Sequence, residues 1–95
     1  MSAYVVARVA IHDRAAYDRY ASQCMRVLGR YDGRLIVSDE APEVMEGDGD
    51  GRKLVVLSFA DREAALTWAN SPEYREIAKD RIAGADVDSV LARGF

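Results

Sequence analysis

A chain of 95 residues suits one domain with one modest core, since proteins of this size bury roughly 60–68% of their unfolded surface. Its 49% hydrophobic and 31% charged residues are ordinary for a soluble globular protein and exclude a disordered class. A net charge of −3, with arginines scattered along the chain, lacks the clustered basic surface of non-specific nucleic-acid binding, and no apolar run approaches the ~20 residues of a membrane span.

In chain order, the first element is a strand, Ala3 to Ile11, with period-2 alternation. Asp13 is suited to cap a helix whose apolar or amphipathic positions recur at Tyr17, Tyr20, Ala21, Cys24, Val27 and Leu28, with Gly29 as its left-handed terminator. Tyr31-Asp32-Gly33 then turns into a second strand, Arg34 to Val37. The next connection is acidic: Asp39, Glu40, Glu43, Glu46, Asp48 and Asp50 precede the first base, Arg52, and Glu43-Val44-Met45-Glu46 reads as a short edge strand. The spacing from Glu46 to Gly51 follows the first half of a calcium loop, but position twelve is Leu57, where a bidentate Glu is needed. A solvated hairpin tip is the expectation there, with no metal. Leu54 to Phe59 forms the third strand, and Asp61 caps a helix burying Ala65, Trp68 and Ala69. Ser71-Pro72 restarts the helix with Tyr74, Ile77, Ala78 and Arg81 on one face, and Ala83-Gly84-Ala85 leads to a last strand, Val87 to Arg93.

Two strand-helix-strand units of this length predict an α+β architecture, an antiparallel sheet with helices on one face, filling residues 1–95 as one domain. Alternation sends Val5, Ala7, Val9, Ile11, Val55, Leu57 and Phe59 toward the helices. The other face carries Tyr4, Val6, Arg8, Ala10, Leu54, Val56 and Ser58, too apolar a set to be left in water. A second copy of the same sheet, packed about a two-fold axis, covers it most economically, so a homodimer is expected. Arg8 interrupts that face and requires a carboxylate partner, from Glu46, the other subunit or an anionic ligand.

Catalytic motifs are sparse. His12, the single histidine, sits at a strand end, where it serves either proton transfer or a structural polar contact. Cys24 faces the core as an inert thiol in the helix pattern, and being alone it cannot form an intrachain disulfide. The N-terminus shows neither the basic region nor the apolar stretch of a signal peptide, so a cytoplasmic location is expected. No Gly-rich phosphate loop or serine elbow is present.

The runs Tyr4-Val5-Val6-Ala7-Arg8-Val9, Tyr17-Asp18-Arg19-Tyr20, Gly33-Arg34, Glu43-Val44-Met45-Glu46-Gly47, Leu54 to Phe59 and Ser71-Pro72-Glu73-Tyr74 resemble the domain-of-unknown-function family 1330 over essentially the whole chain. The Ser-Pro-Glu-Tyr step is the most distinctive part. Members of the family commonly carry a bulky residue after the Glu-Gly step, where this chain has Asp48-Gly49-Asp50-Gly51. The resemblance implies a ferredoxin-like (βαββαβ) fold and a dimeric α/β barrel. Its wider superfamily includes small oxygenases, lactone isomerases and haem-handling enzymes that place ligands between sheet and helices.

Two functional expectations follow. One is a cofactor-free enzyme, oxygenase- or isomerase-like, acting on a small hydrophobic or aromatic acid in a cleft lined by Tyr4, Arg8, Tyr20, Trp68 and Tyr74. Arg8 or Arg34 would hold a carboxylate or enolate oxygen, and Tyr20 or His12 would move a proton. The other is a non-catalytic binding or structural homodimer. A cavity above roughly 300 Å³ with two or more converging polar groups favours the first, and a filled cleft the second.

Overall fold

The computed structural model describes residues 2–95. Among them the order is β1 (Ala3–Ile11), α1 (Arg14–Arg30), β2 (Arg34–Asp39), β3 (Lys53–Phe59), α2 (Arg62–Ala69), α3 (Pro72–Gly84) and β4 (Ala85–Arg93). The strands form one antiparallel sheet in the order β2-β3-β1-β4, the ferredoxin-like arrangement in which the first strand lies inside. Val5 pairs with Leu57 and Leu91, and Val9 with Lys53 and Val87, so rows of side chains on one face run straight across the sheet. In β2 the ladder slips: Leu35 faces Leu57 but Val37 faces Val56, leaving Ile36 as an extra residue, a β-bulge.

The helices begin where side-chain acceptors satisfy first-turn N–H groups. Asp13 accepts from Ala16 N at 3.3 Å, Asp61 from Ala64 N at 2.8 Å and Ser71 Oγ from Tyr74 N at 3.1 Å. The Ser71 hydroxyl also donates to the Trp68 carbonyl at 2.7 Å, which splices α2 to α3 across a single turn. All three helices cover one face of the sheet, where Val9, Leu57 and Phe59 meet Tyr17, Val27, Leu28, Trp68 and Ile77 in one core.

Several local expectations differ. α1 does not stop at Gly29 but runs to Arg30, and the left-handed residue is Asp32 at φ 59°, a conformation that Asp tolerates better than most residues. Gly33 follows because a Cβ there would strike Leu28 and the Phe59 ring, which leaves glycine as the residue that fits. The segment Glu43-Val44-Met45-Glu46 forms no edge strand; it is exposed, and no ladder joins it to β2. β4 starts at Ala85 instead of Val87, because Gly84 ends α3 and the next residue is already paired to Ile11.

Gly84 makes a tight junction with backbone. Its carbonyl accepts from His12 N at 2.9 Å and Asp13 N at 3.0 Å, and a Cβ on it would lie 2.6 Å from Tyr17 N and 2.9 Å from Asp13 O. The clash is with backbone on the first turn of α1, which cannot rotate away. Gly84→Ala is therefore expected to lower unfolding stability by about 1–3 kcal/mol, read as a lower urea midpoint; an unchanged midpoint contradicts the junction as described.

Candidate functional site

The helices do not press on the sheet everywhere. Between them lies a cleft of ≈ 640 Å³, well above the size that separates a ligand cavity from a filled core. Sheet parity sets its floor: the rows Leu35-Leu57-Val5-Leu91, Ser38-Val55-Ala7-Ser89 and Lys53-Val9-Val87 all face the helices. Met25, Leu35 and Leu91, which are 55%, 40% and 37% exposed, stand at its mouth.

The roof carries the polar groups. Tyr20 projects from α1 and Tyr74 from α3, and their hydroxyls meet at 3.1 Å with the rings edge to face. The Cys24 thiol donates to the Tyr20 oxygen at 3.6 Å from one helical turn on. Trp68 stacks against Tyr74 at 4.2 Å and Phe59 at 5.3 Å between ring centroids, which makes the Phe59 end of the cleft aromatic.

Its other end is cationic. Lys53, 12% exposed at its side chain, holds its Nζ 4.8 Å above the Tyr17 ring. Arg81 reaches the same cleft from the last turn of α3. The lining contains no Asp, Glu or His. Among the described residues no group of three His, Cys, Asp or Glu side chains is placed to hold a metal ion.

Of the residues singled out in the sequence, Tyr20, Trp68 and Tyr74 come together in this cleft. Tyr4, Arg8 and Arg34 do not join them: Tyr4 and Arg34 both sit opposite Ser58, and Arg8 opposite Leu54, on the far face of the sheet. There Arg8 contacts Asp50 and Asp88, each at 3.5 Å, and Arg52 reaches the same two carboxylates at 3.0 and 3.3 Å. The Arg8 partners thus come from the acidic connection and β4, not from Glu46. His12 lies at the sheet end, exposed, with its Nε2 3.7 Å from Asp86. Lys53 lies outside the residues expected in the cleft, although it stands two residues before Val55 in the alternation that faces the helices.

The family model described as "Domain of unknown function (DUF1330)" matches residues 2–95. No curated protein matches the chain. Among solved structures, a protein of unknown function from Rhodopseudomonas palustris superposes with TM-score 0.83 at 17% identity, covering 99% of this chain and 82% of that one. SnoaB, a cofactor-independent oxygenase from Streptomyces nogalater, gives TM-score 0.72 at 16% identity, covering 99% and 93%. A dimeric ferredoxin-like protein of unknown function from a Jannaschia species gives TM-score 0.69 at 15% identity, covering 99% and 100%. At these identities the likeness is one of fold.

Burial pushes the Tyr20 phenol far above its ordinary value, with the neighbouring Tyr74 hydroxyl adding to the shift, and burial likewise raises the Cys24 thiol. Both groups stay protonated in the fold, so Tyr20 is a donor and Cys24 is no thiolate nucleophile. The unfolded chain ionises at the ordinary values, 9.0 for the thiol and 10.0 for the phenol, while the folded chain keeps its protons. Stability from these groups is therefore complete below that range and is lost as pH rises through it and on toward the raised folded values. Urea melts from pH about 7 to about 10.5 are expected to show this decline, and Tyr20→Phe to flatten it; parallel profiles for the two proteins contradict the assignment.

Proposed function

The chain belongs to the DUF1330 family, and on that premise we propose that it is a homodimer that binds a small hydrophobic or aromatic acid between its sheet and helices. The carrying observation is the unfilled, amphipathic cleft, apolar along its floor, phenolic at its roof and cationic at one end. A ring or alkyl body is favoured there by removal of apolar surface from water, and an oxygen on it by the paired phenols of Tyr20 and Tyr74.

Turnover of the bound acid, oxygenase- or isomerase-like and without a cofactor, is the first reading. The hydroxyl pair of a protonated Tyr20 and its neighbour Tyr74, one proton of which is taken by their mutual bond, supplies the other as a hydrogen bond to an enolate oxygen, the charge that such chemistry develops. The cofactor-independent oxygenase among the structural neighbours supports this by fold analogy. Binding without turnover is favoured by a different observation: the lining offers no carboxylate or histidine as a general base.

For the dimer, the support is a row of valines across the uncovered face. Val37, Val56, Val6 and Val90 lie side by side over all four strands, with Val90 62% exposed. Two such faces packed together remove both rows from water. The dimeric neighbour is consistent with it.

Thermal-shift measurements with enolisable aryl acids are expected to show stabilisation that Tyr74→Ala weakens, since ligand bound to the native state must raise the melting temperature. Acids that stabilise then go to oxygen-consumption and α-proton exchange assays. Turnover above the protein-free rate establishes the enzyme, binding without turnover establishes the alternative, and no stabilisation by any acid removes both. Sedimentation is expected to give twice the chain mass for the wild type and the single chain mass for Val6→Asp, which buries a charge in the valine row; a monomeric wild type contradicts the dimer.

A further inference from the structure

We infer that Lys53, with Arg81 beside it, is the counter-charge that selects a carboxylate in this cleft and fixes its direction, acid group at the Lys53 end and apolar body toward Trp68. The inference rests on the ligand-cleft reading above and goes beyond it by assigning specificity to two residues outside the expected set. Four observations carry it. First, Lys53 and Arg81 are the charged side chains of the lining, and no acid accompanies them there. Second, the carboxylate nearest Lys53 is Glu40, at 4.0 Å, and Glu40 is drawn away by two shorter hydrogen bonds from Arg14, at 2.7 and 2.9 Å. Lys53 is thus largely desolvated without a close anion, an arrangement that favours an incoming one.

Third, the Nε–H of Arg81 is buried with no protein partner among the described residues, and its guanidinium forms no ion pair among them. Fourth, the two cations share one end. Lys53 pairs with Val9 near the close of β1, and Arg81 lies one turn before α3 delivers Ala85 to Ile11. The Trp68-Phe59 stack marks the opposite end, since Phe59 pairs with Ala3. A ligand that satisfies both ends is an anion joined to an apolar body, and a neutral molecule of the same shape leaves the cation unmatched.

The test is calorimetric titration of the full chain with 2-naphthoate and its neutral counterpart 2-naphthamide. The wild type is expected to bind the acid about tenfold or more tightly than the amide. Lys53→Met keeps the apolar stem and removes the charge; it should weaken naphthoate about tenfold or more and leave naphthamide within about twofold. Naphthamide binding also shows that this variant is folded. Lys53→Arg should restore the preference, and Arg8→Ala should leave both affinities unchanged. Equal affinities for acid and amide, or an acid preference that survives Lys53→Met, overturns the assignment while the ligand cleft stands. Binding of neither probe overturns the cleft as a site for small aromatic acids, and the assignment with it.

Discussion

Strand β1 is hydrogen-bonded on both sides, to β3 from Ala3 to Val9 and to β4 from Ala3 to Ile11, and this double pairing fixes the parity of the whole sheet. Once Val9 points toward the helices, Lys53 and Val87 must do so too, and once Val6 points away, Val56 and Val90 follow. The helices cover only one of those two faces. Their cleft and the uncovered valine row are therefore two results of one pairing, and neither can be altered by a register change without the other.

The cleft remains open for reasons that differ at its two ends. At the Phe59 end the large aromatic side chains are spent on each other: Trp68 stacks on Phe59 and Tyr74, and Tyr74 meets Tyr20. These contacts hold α1 and α3 at a spacing that the smaller floor residues Val5, Ala7 and Val55 do not fill. At the other end, collapse would bury the Lys53 ammonium against apolar strand residues, and an unpaired charge in that setting costs more than the apolar contact returns. The stack over Tyr17 gives the charge a partial partner without closing the space.

Much of this was legible from periodicity. The caps Asp13, Asp61 and Ser71, the strand faces and the helix-facing positions Tyr17, Tyr20 and Trp68 follow from local rules that tertiary contacts only reinforce. Gly29 as a terminator did not, because the turn that ends α1 is set by how closely Gly33 must approach Leu28 and Phe59, a contact between distant residues. Arg8 drew attention as a charge in an apolar strand, yet it faces Asp50 and Asp88 on the exposed side, where its charge is already matched. Lys53 is inconspicuous in the sequence for the opposite reason. It stands at the end of an acidic connection, beside Arg52, although counting back by two from Val55 places it under the helices.

The extra residue at Ile36 has a consequence for how this chain can vary. From Val37 onward the bulge shifts the phase of β2, so that Ser38 faces the cleft, Asp39 faces away, and Glu40 is the carboxylate that approaches Lys53. Losing Ile36 would leave a regular ladder with Val37 still opposite Val56 and Ser38 still opposite Val55, whereas straightening the strand with Ile36 kept would invert it: Val37 and Asp39 would turn inward, and Ser38 outward. The exposed connection after Glu40 is under no such arithmetic. Length can drift in residues 41–51 at little cost to the cleft, whereas in β2 the charges and apolar groups that meet the ligand keep their places only while the extra residue is either bulged out or absent.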